Sequence, residues 1–186
     1  EKTGRPPMNL SLGNPDGVPC EAIRRLKARY AEDPGYDYHT YSEDKNLHGF
    51  AEAMVELHGS LVVAEHPHLR ALPTAGIKTA SALIPLACGL HLRPFVMASN
   101  LPAYDVVGTW AESYLRARRV VWPLRASGNM RLELCLLKEA LQAQKLDRID
   151  LIFVIRPGNP AAVGASEVEW RALIEYCLEK GARLVN

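Results

Sequence analysis

"IDLIFVIRPGNPAAVGASEVEWRALIEYCLEKGARLV", residues 149–185, decides the fold. Its first seven residues are apolar save for one aspartate, as in a strand covered on both faces. A turn follows, in which two prolines bracket Gly158 and Asn159. Ser166 with Glu169 three residues on is the signature of a capping box, so a helix starts there. Trp170, Leu173, Ile174 and Cys177 recur at helical spacing and are expected to form its buried stripe. The run "ARLV" then reads as a second short buried strand. Strand, helix and strand in this order are the unit of a parallel sheet.

The pattern extends in the N-terminal direction. Strand-like runs occur at "LRALPT" (69–74), "PFVMAS" (94–99) and "RRVVWP" (118–123). Amphipathic helical patterns cover residues 79–91, 104–116, 131–144 and 167–180. The fold expected is α/β, a three-layer α/β/α arrangement around a mostly parallel sheet, preceded by an N-terminal arm. The first 68 residues differ in style. Helical patterns span residues 20–32 and 47–58, the second with Leu47, Phe50, Met54 and Leu57 on one face, and a polar, tyrosine-rich loop joins them.

Composition narrows the classes of function. The chain of 186 residues carries 22 basic and 21 acidic side chains, a formal net charge of +1. With no long run of one sign, neither a nucleic-acid nor a membrane partner is expected. The apolar stretches are too short and interrupted to span a bilayer. "EKTGRPPMNL" lacks the apolar core of a signal peptide. Cys20, Cys88, Cys135 and Cys177 form no CxxC pair, and the last three fall in apolar helical patterns that suit buried thiols. These features fit a cytoplasmic protein. No metal site is expected, because Glu65, His66 and His68 have no further ligand spaced to complete one.

Ligands of a parallel sheet bind beyond the carboxyl ends of its strands. That rule selects "PTAGIK", "SNLPAYD" and "RPGNPAA". Gly76 sits at a strand-to-helix junction, where free amides and the helix macrodipole suit an anion such as phosphate. Taken alone, one glycine is more simply a tight turn. Thr79 would add a hydroxyl there and Lys78 a charge. Tyr104 is placed either to stack on a flat ligand or to pack in the ordinary way. The Asn159 amide either donates to a ligand oxygen or serves turn geometry alone.

Five segments in order, covering nearly the whole chain, resemble the fold-type I pyridoxal-phosphate (PLP) enzymes, specifically the class I/II aminotransferases. "NLSLGNPDG" is similar to that family's Leu-x-x-Gly-x-Pro-Asp segment. "TYSEDKNLHGFAEAM" is similar to its Tyr-x-Pro-x-x-Gly-x-x-x-Leu-Arg segment. "TAGIKTA" resembles its phosphate loop, "LPAYDVV" its Pro-x-Tyr segment and "RPGNPAA" its Pro-x-Asn-Pro-Thr-Gly turn.

The resemblance implies a role for each matching position. Amides of Gly76, Ile77 and Lys78 would hold the PLP phosphate, Tyr104 would stack on the pyridine ring, and Asn159 would donate to the ring's phenolic oxygen. Tyr41 would reach the phosphate of a neighbouring subunit, which implies a homodimer with shared active sites. Gly13 would lie near the substrate carboxylate. The sequence departs from the family in four places. Ile77 replaces the loop's second glycine, Ala51 an arginine, Ala161-Ala162 the Thr-Gly pair, and Asn46 a glycine, a place that asparagine suits by tolerating left-handed backbone.

No catalytic residue is expected within the chain. The aspartate that pairs with the pyridine nitrogen, the Schiff-base lysine and the carboxylate-binding arginine lie further on in the family. The domains expected are residues 1–45, the N-terminal arm with part of the small domain, and 46–186, the N-terminal portion of the PLP-binding large domain. The activity implied is PLP-dependent transfer of an amino group between an amino acid and a 2-oxo acid. A PLP-dependent lyase, oxidase or synthase is the alternative on the same fold. From another class, a non-catalytic α/β domain binding a phosphate ligand or a partner is the rival.

Overall fold

The computed structural model describes residues 13, 17–35, 41 and 44–186. Most of "NLSLGNPDG" and of the tyrosine-rich loop lies outside these residues. The chain divides between Leu72 and Pro73 into two compact units.

The first unit carries α1 (Glu21–Glu32) and α2 (Asp44–Gly59). Both match the helical patterns of the sequence. The apolar faces are not buried within the unit, however: Ile23, Leu26, Phe50 and Leu57 are exposed, whereas Ala51 and Val63 are buried. Asn46 lies in the first turn of α2, a right-handed helical position, so left-handed backbone has no part there.

The second unit contains α3 (Ile77–Ala87), β1 (Phe95–Leu101), α4 (Val106–Tyr114), β2 (Ala117–Pro123), α5 (Leu134–Ala143), β3 (Leu151–Phe153), α6 (Glu167–Lys180) and β4 (Arg183–Val185). The four strands are parallel and lie in the order β2-β1-β3-β4. Alternation along β1 builds both layers. Val96 and Ala98 face a cluster with Val120, Trp122, Leu137, Ile152 and Leu173, which places α5 and α6 on that side. Phe95 and Met97 face the opposite cluster, with Val107, Ala111, Leu151 and Phe153, and Ile84 of α3 packs against it. This is the three-layer α/β/α arrangement that the alternating strands and helices predicted.

The capping box of α6 forms as its residues predicted. Ser166 accepts from the Glu169 amide, and the Glu169 carboxylate accepts from the Ser166 amide. That carboxylate also accepts from Leu132 N at 2.8 Å, tying the segment before α5 to the start of α6. Burial alone would raise the Glu169 pKa. The Ser166 hydroxyl and amide, the Leu132 amide and Arg131 outweigh it and hold the group at about 2.

Three expectations are corrected. "LRALPT" is not a strand: Pro73 offers no N–H to a ladder, and no described strand pairs with this segment. On α6 the buried residues are Leu173, Tyr176 and Cys177, while Ile174 is exposed and Trp170 half-buried. The stripe is therefore rotated toward Tyr176, whose ring lies near Lys138 and Lys180. Of the cysteines, only Cys177 is buried, and burial pushes its thiol up to about 11.

Candidate functional site

The strand order places the site. From β1 the chain turns through α4 to β2 on one side; from β3 it turns through α6 to β4 on the other. The carboxyl ends of β1 and β3 therefore flank a topological switch point, the place where open parallel sheets bind their ligands. "SNLPAYD" leaves β1 and "RPGNPAA" follows β3 at this point. The two loops meet directly: the Tyr104 amide donates to the Asn159 carbonyl at 2.8 Å. The Tyr104 ring is half exposed. The Asn159 side chain is exposed and makes no hydrogen bond among the described residues.

Gly76 is the residue before α3, with φ 93° and ψ 160°. That region is open essentially to glycine alone. A Cβ there would meet nothing within 4 Å, so backbone conformation rather than space selects glycine. The Gly76 amide bonds the Thr74 carbonyl at 2.8 Å, and the first amide to bond back into the helix is that of Ala80, to Gly76 O at 3.1 Å. The amides of Ile77, Lys78 and Thr79 thus have no acceptor among the described residues. Ile77, at 75% exposure, stands its bulk outward while still contributing an amide. Lys78 is exposed. The Thr79 hydroxyl donates to Ala75 O at 3.2 Å, so its proton is already engaged within the turn. Helix α3 packs on α4, whose first turn begins just after Tyr104. Gly13 and Tyr41 belong to the first unit, both exposed, and their roles rest on the resemblance alone.

The loop carrying Asn159 is fixed from below. Arg156 donates from Nη1 to Val163 O at 3.1 Å and from Nη2 to Met130 O at 2.7 Å. Its backbone is bracketed by Asn186, which accepts from Arg156 N at 2.7 Å and donates to Arg156 O at 3.0 Å. Burial lowers the guanidinium pKa, opposed by Glu169. Further along, Ala162 is left-handed (φ 54°), and its amide bonds Gly158 O at 2.7 Å. The turn that resembles the family's Pro-x-Asn-Pro-Thr-Gly segment thus keeps left-handed backbone where that segment has glycine. An alanine held there is strained by roughly 1–2 kcal/mol. Ala162→Gly is expected to raise stability by about 0.5–1 kcal/mol, the relief of strain less the entropy a glycine loses. The midpoint of urea denaturation measures this, and a lower midpoint would contradict it.

Sequence reasoning passed over one buried ionic group. The Asp105 carboxylate accepts from Gly108 N at 2.6 Å, from Arg119 Nη2 at 2.7 Å and from the Ser99 hydroxyl. Two signals pointed to it. An aspartate directly before an apolar helical run is an N-cap, and an arginine in an apolar strand needs a partner.

A family model described as aminotransferase class I and II matches residues 5–186. The chain belongs to that family. Class I and II aminotransferases depend on PLP. No curated protein matches the chain. Among solved structures, it is similar to the aminotransferase AspB of Helicobacter pylori at 16% identity and a TM-score of 0.70, covering 94% of this chain and 44% of that one. A multiple substrate aminotransferase of Thermococcus profundus matches at 22% identity and a TM-score of 0.65, over 90% and 40%. The kynurenine aminotransferase of Pyrococcus horikoshii, solved in complex with PMP, matches at 20% and 0.65, over 90% and 40%. The chain therefore spans less than half the length of these relatives, and the likeness establishes the fold they share. Among the described residues, no helix is long and apolar enough to cross a membrane.

Proposed function

We propose that this chain supplies the cofactor cradle of a PLP-dependent aminotransferase that acts on an amino acid and a 2-oxo acid. One observation carries the reading: at the β1/β3 switch point, the loops bearing Tyr104 and Asn159 are joined by a backbone hydrogen bond. The residues present fit the cofactor. A phosphate dianion needs several donors, and the unpaired amides opening α3, together with Lys78, offer them. A flat pyridine ring needs an aromatic face, which half-exposed Tyr104 provides. A phenolic oxygen needs a donor, and the Asn159 side-chain amide is free to be one.

Bound PLP supplies an electron sink for charge developing at the substrate's α-carbon. The chain's own residues bind and orient. The free amides of Ile77 and Lys78 fix one end of the ligand by its phosphate; Gly76 shapes the turn that aims them, its own amide being engaged by Thr74 O at 2.8 Å. Tyr104 sets the plane of the ring, and Asn159 sets its rotation in that plane. Tyr41 would reach a phosphate across a homodimer interface, and Gly13 would border the substrate carboxylate. Residues 46–186 would then be large-domain structure and 1–45 the arm with part of the small domain. Lys78 serves the phosphate, so no lysine of this chain is assigned the covalent link to PLP, and no residue here moves a proton.

A second reading, a PLP-dependent lyase, oxidase or synthase, is favoured by Ala161-Ala162 in place of Thr-Gly and by Ile77 in the phosphate loop. A half-reaction assay separates the two. Adding an amino donor to the PLP-loaded complete protein is expected to convert bound PLP to its pyridoxamine form, read by absorbance. If the donor loses its amine while the cofactor remains PLP, amino transfer is the wrong reaction.

A further inference from the structure

We propose that Asp105, held by Ser99 and Arg119, is the positioning residue that fixes the Tyr104 ring against the cofactor; the inference rests on reading this site as a PLP cradle. Tyr104 lies between two anchors. On one side its own amide is bonded to Asn159 O at 2.8 Å. On the other, the next residue, Asp105, is buried and fully engaged. Its Oδ1 takes the Gly108 amide at 2.6 Å, which is the ordinary work of a helix cap. Its Oδ2 does something a cap does not need. It accepts from the Ser99 hydroxyl of β1 and pairs with Arg119 Nη2 of β2 at 2.7 Å.

Arg119 Nε donates to Ser99 Oγ at 3.1 Å, closing a triangle across the neighbouring strands β1 and β2. Arg119 Nη1 also reaches Glu112, on the second turn of α4, at 3.6 Å. The start of α4 is thereby clamped to β1 and β2. Gly108 shows how closely the group is fitted, since a Cβ there would be driven into the Asp105 carboxylate. Tyr104 touches neither Ser99 nor Arg119 in this scheme. It is steered through Asp105, and the cost of misplacement falls on the ring contact.

A double-mutant cycle on the complete protein tests this, with PLP titrated into apoprotein. Asp105→Asn is expected to weaken PLP binding about tenfold when Tyr104 is present and by less than about twofold in a Tyr104→Ala background, because coupled residues are non-additive. Ser99→Ala removes one donor only and keeps the test open if Asp105→Asn does not fold; its expected loss is about threefold, again confined to the Tyr104 background. Inorganic phosphate, competing at the α3 amides, should bind all variants alike. Equal losses in both backgrounds, or no loss in either, would overturn the positioning role while leaving the cradle intact. Wild-type protein that takes up no PLP would instead defeat the cofactor reading, and this inference with it.

Discussion

Trp122→Ala is expected to lower stability by about 3–5 kcal/mol, the largest single loss in the second unit. Trp122 is fully buried on β2, packed with Val120, Leu137 and Ile152 between the sheet and α5. Its indole Nε1 donates to Glu133 O at 3.0 Å, directly before α5. Truncation therefore opens a cavity and strips a carbonyl of its partner, and close-packed interiors relax only in part. β2 also carries Arg119, so the loss should spread to the Tyr104 end of the sheet. Urea denaturation of the complete protein, followed by tryptophan fluorescence and circular dichroism, reads it. A shift below about 1 kcal/mol would show that the site collapses freely, contrary to the packing described.

Gly76→Ala is expected to have the largest effect on the ligand, weakening PLP binding on the order of 100-fold. Space is not the reason, because a methyl group there meets nothing within 4 Å. The reason is φ 93° with ψ 160°, which costs a non-glycine residue about 1–3 kcal/mol. An alanine relieves that strain by turning the backbone, and the Ile77 and Lys78 amides turn with it. Donors to a charged phosphate contribute about 1.5–3 kcal/mol each, so misaiming two of them accounts for the fall. Lys78→Ala, which leaves the backbone in place, should cost less. A Gly76→Ala protein that binds PLP as the parent does would remove the α3 amides from the site.

Much of this was legible from the residues. The α6 capping box was readable because its partners are three residues apart and the energetics are local. The strands β1 and β3 were readable because burial on both faces leaves a nearly unbroken apolar run, whereas β2 alternates between buried and exposed positions and β4 is at most half-buried. "LRALPT" shows where that signal fails, since an apolar run becomes a strand only when another strand accepts its hydrogen bonds. The rotated face of α6 is a failure of the same kind: Tyr176 is buried because it packs into the cluster with Leu137, Leu141 and Leu173, a tertiary fact that spacing does not carry.

For the site, the meeting of Tyr104 and Asn159 depends on strand order, which no local pattern encodes, although both residues were named from their loops. Gly76 was read as a tight turn or an anion site, and its φ of 93° with ψ of 160°, which only glycine takes without strain, came from the structure. Ala162 kept the left-handed turn without the glycine that usually signals it. Asp105 was missed because its partners come from two strands, six residues before it and fourteen after it.

The central claim is that the loops around Gly76, Tyr104 and Asn159 cradle PLP. The most direct measurement is the absorbance of the complete protein on adding PLP, before and after borohydride. The account predicts a band near the visible edge that borohydride fixes irreversibly, with PLP retained, and a much weaker uptake in Gly76→Ala. The 186-residue chain alone should give no such band, since none of its lysines is assigned the covalent link. A complete protein that shows no band and lets all PLP pass through dialysis would contradict the account.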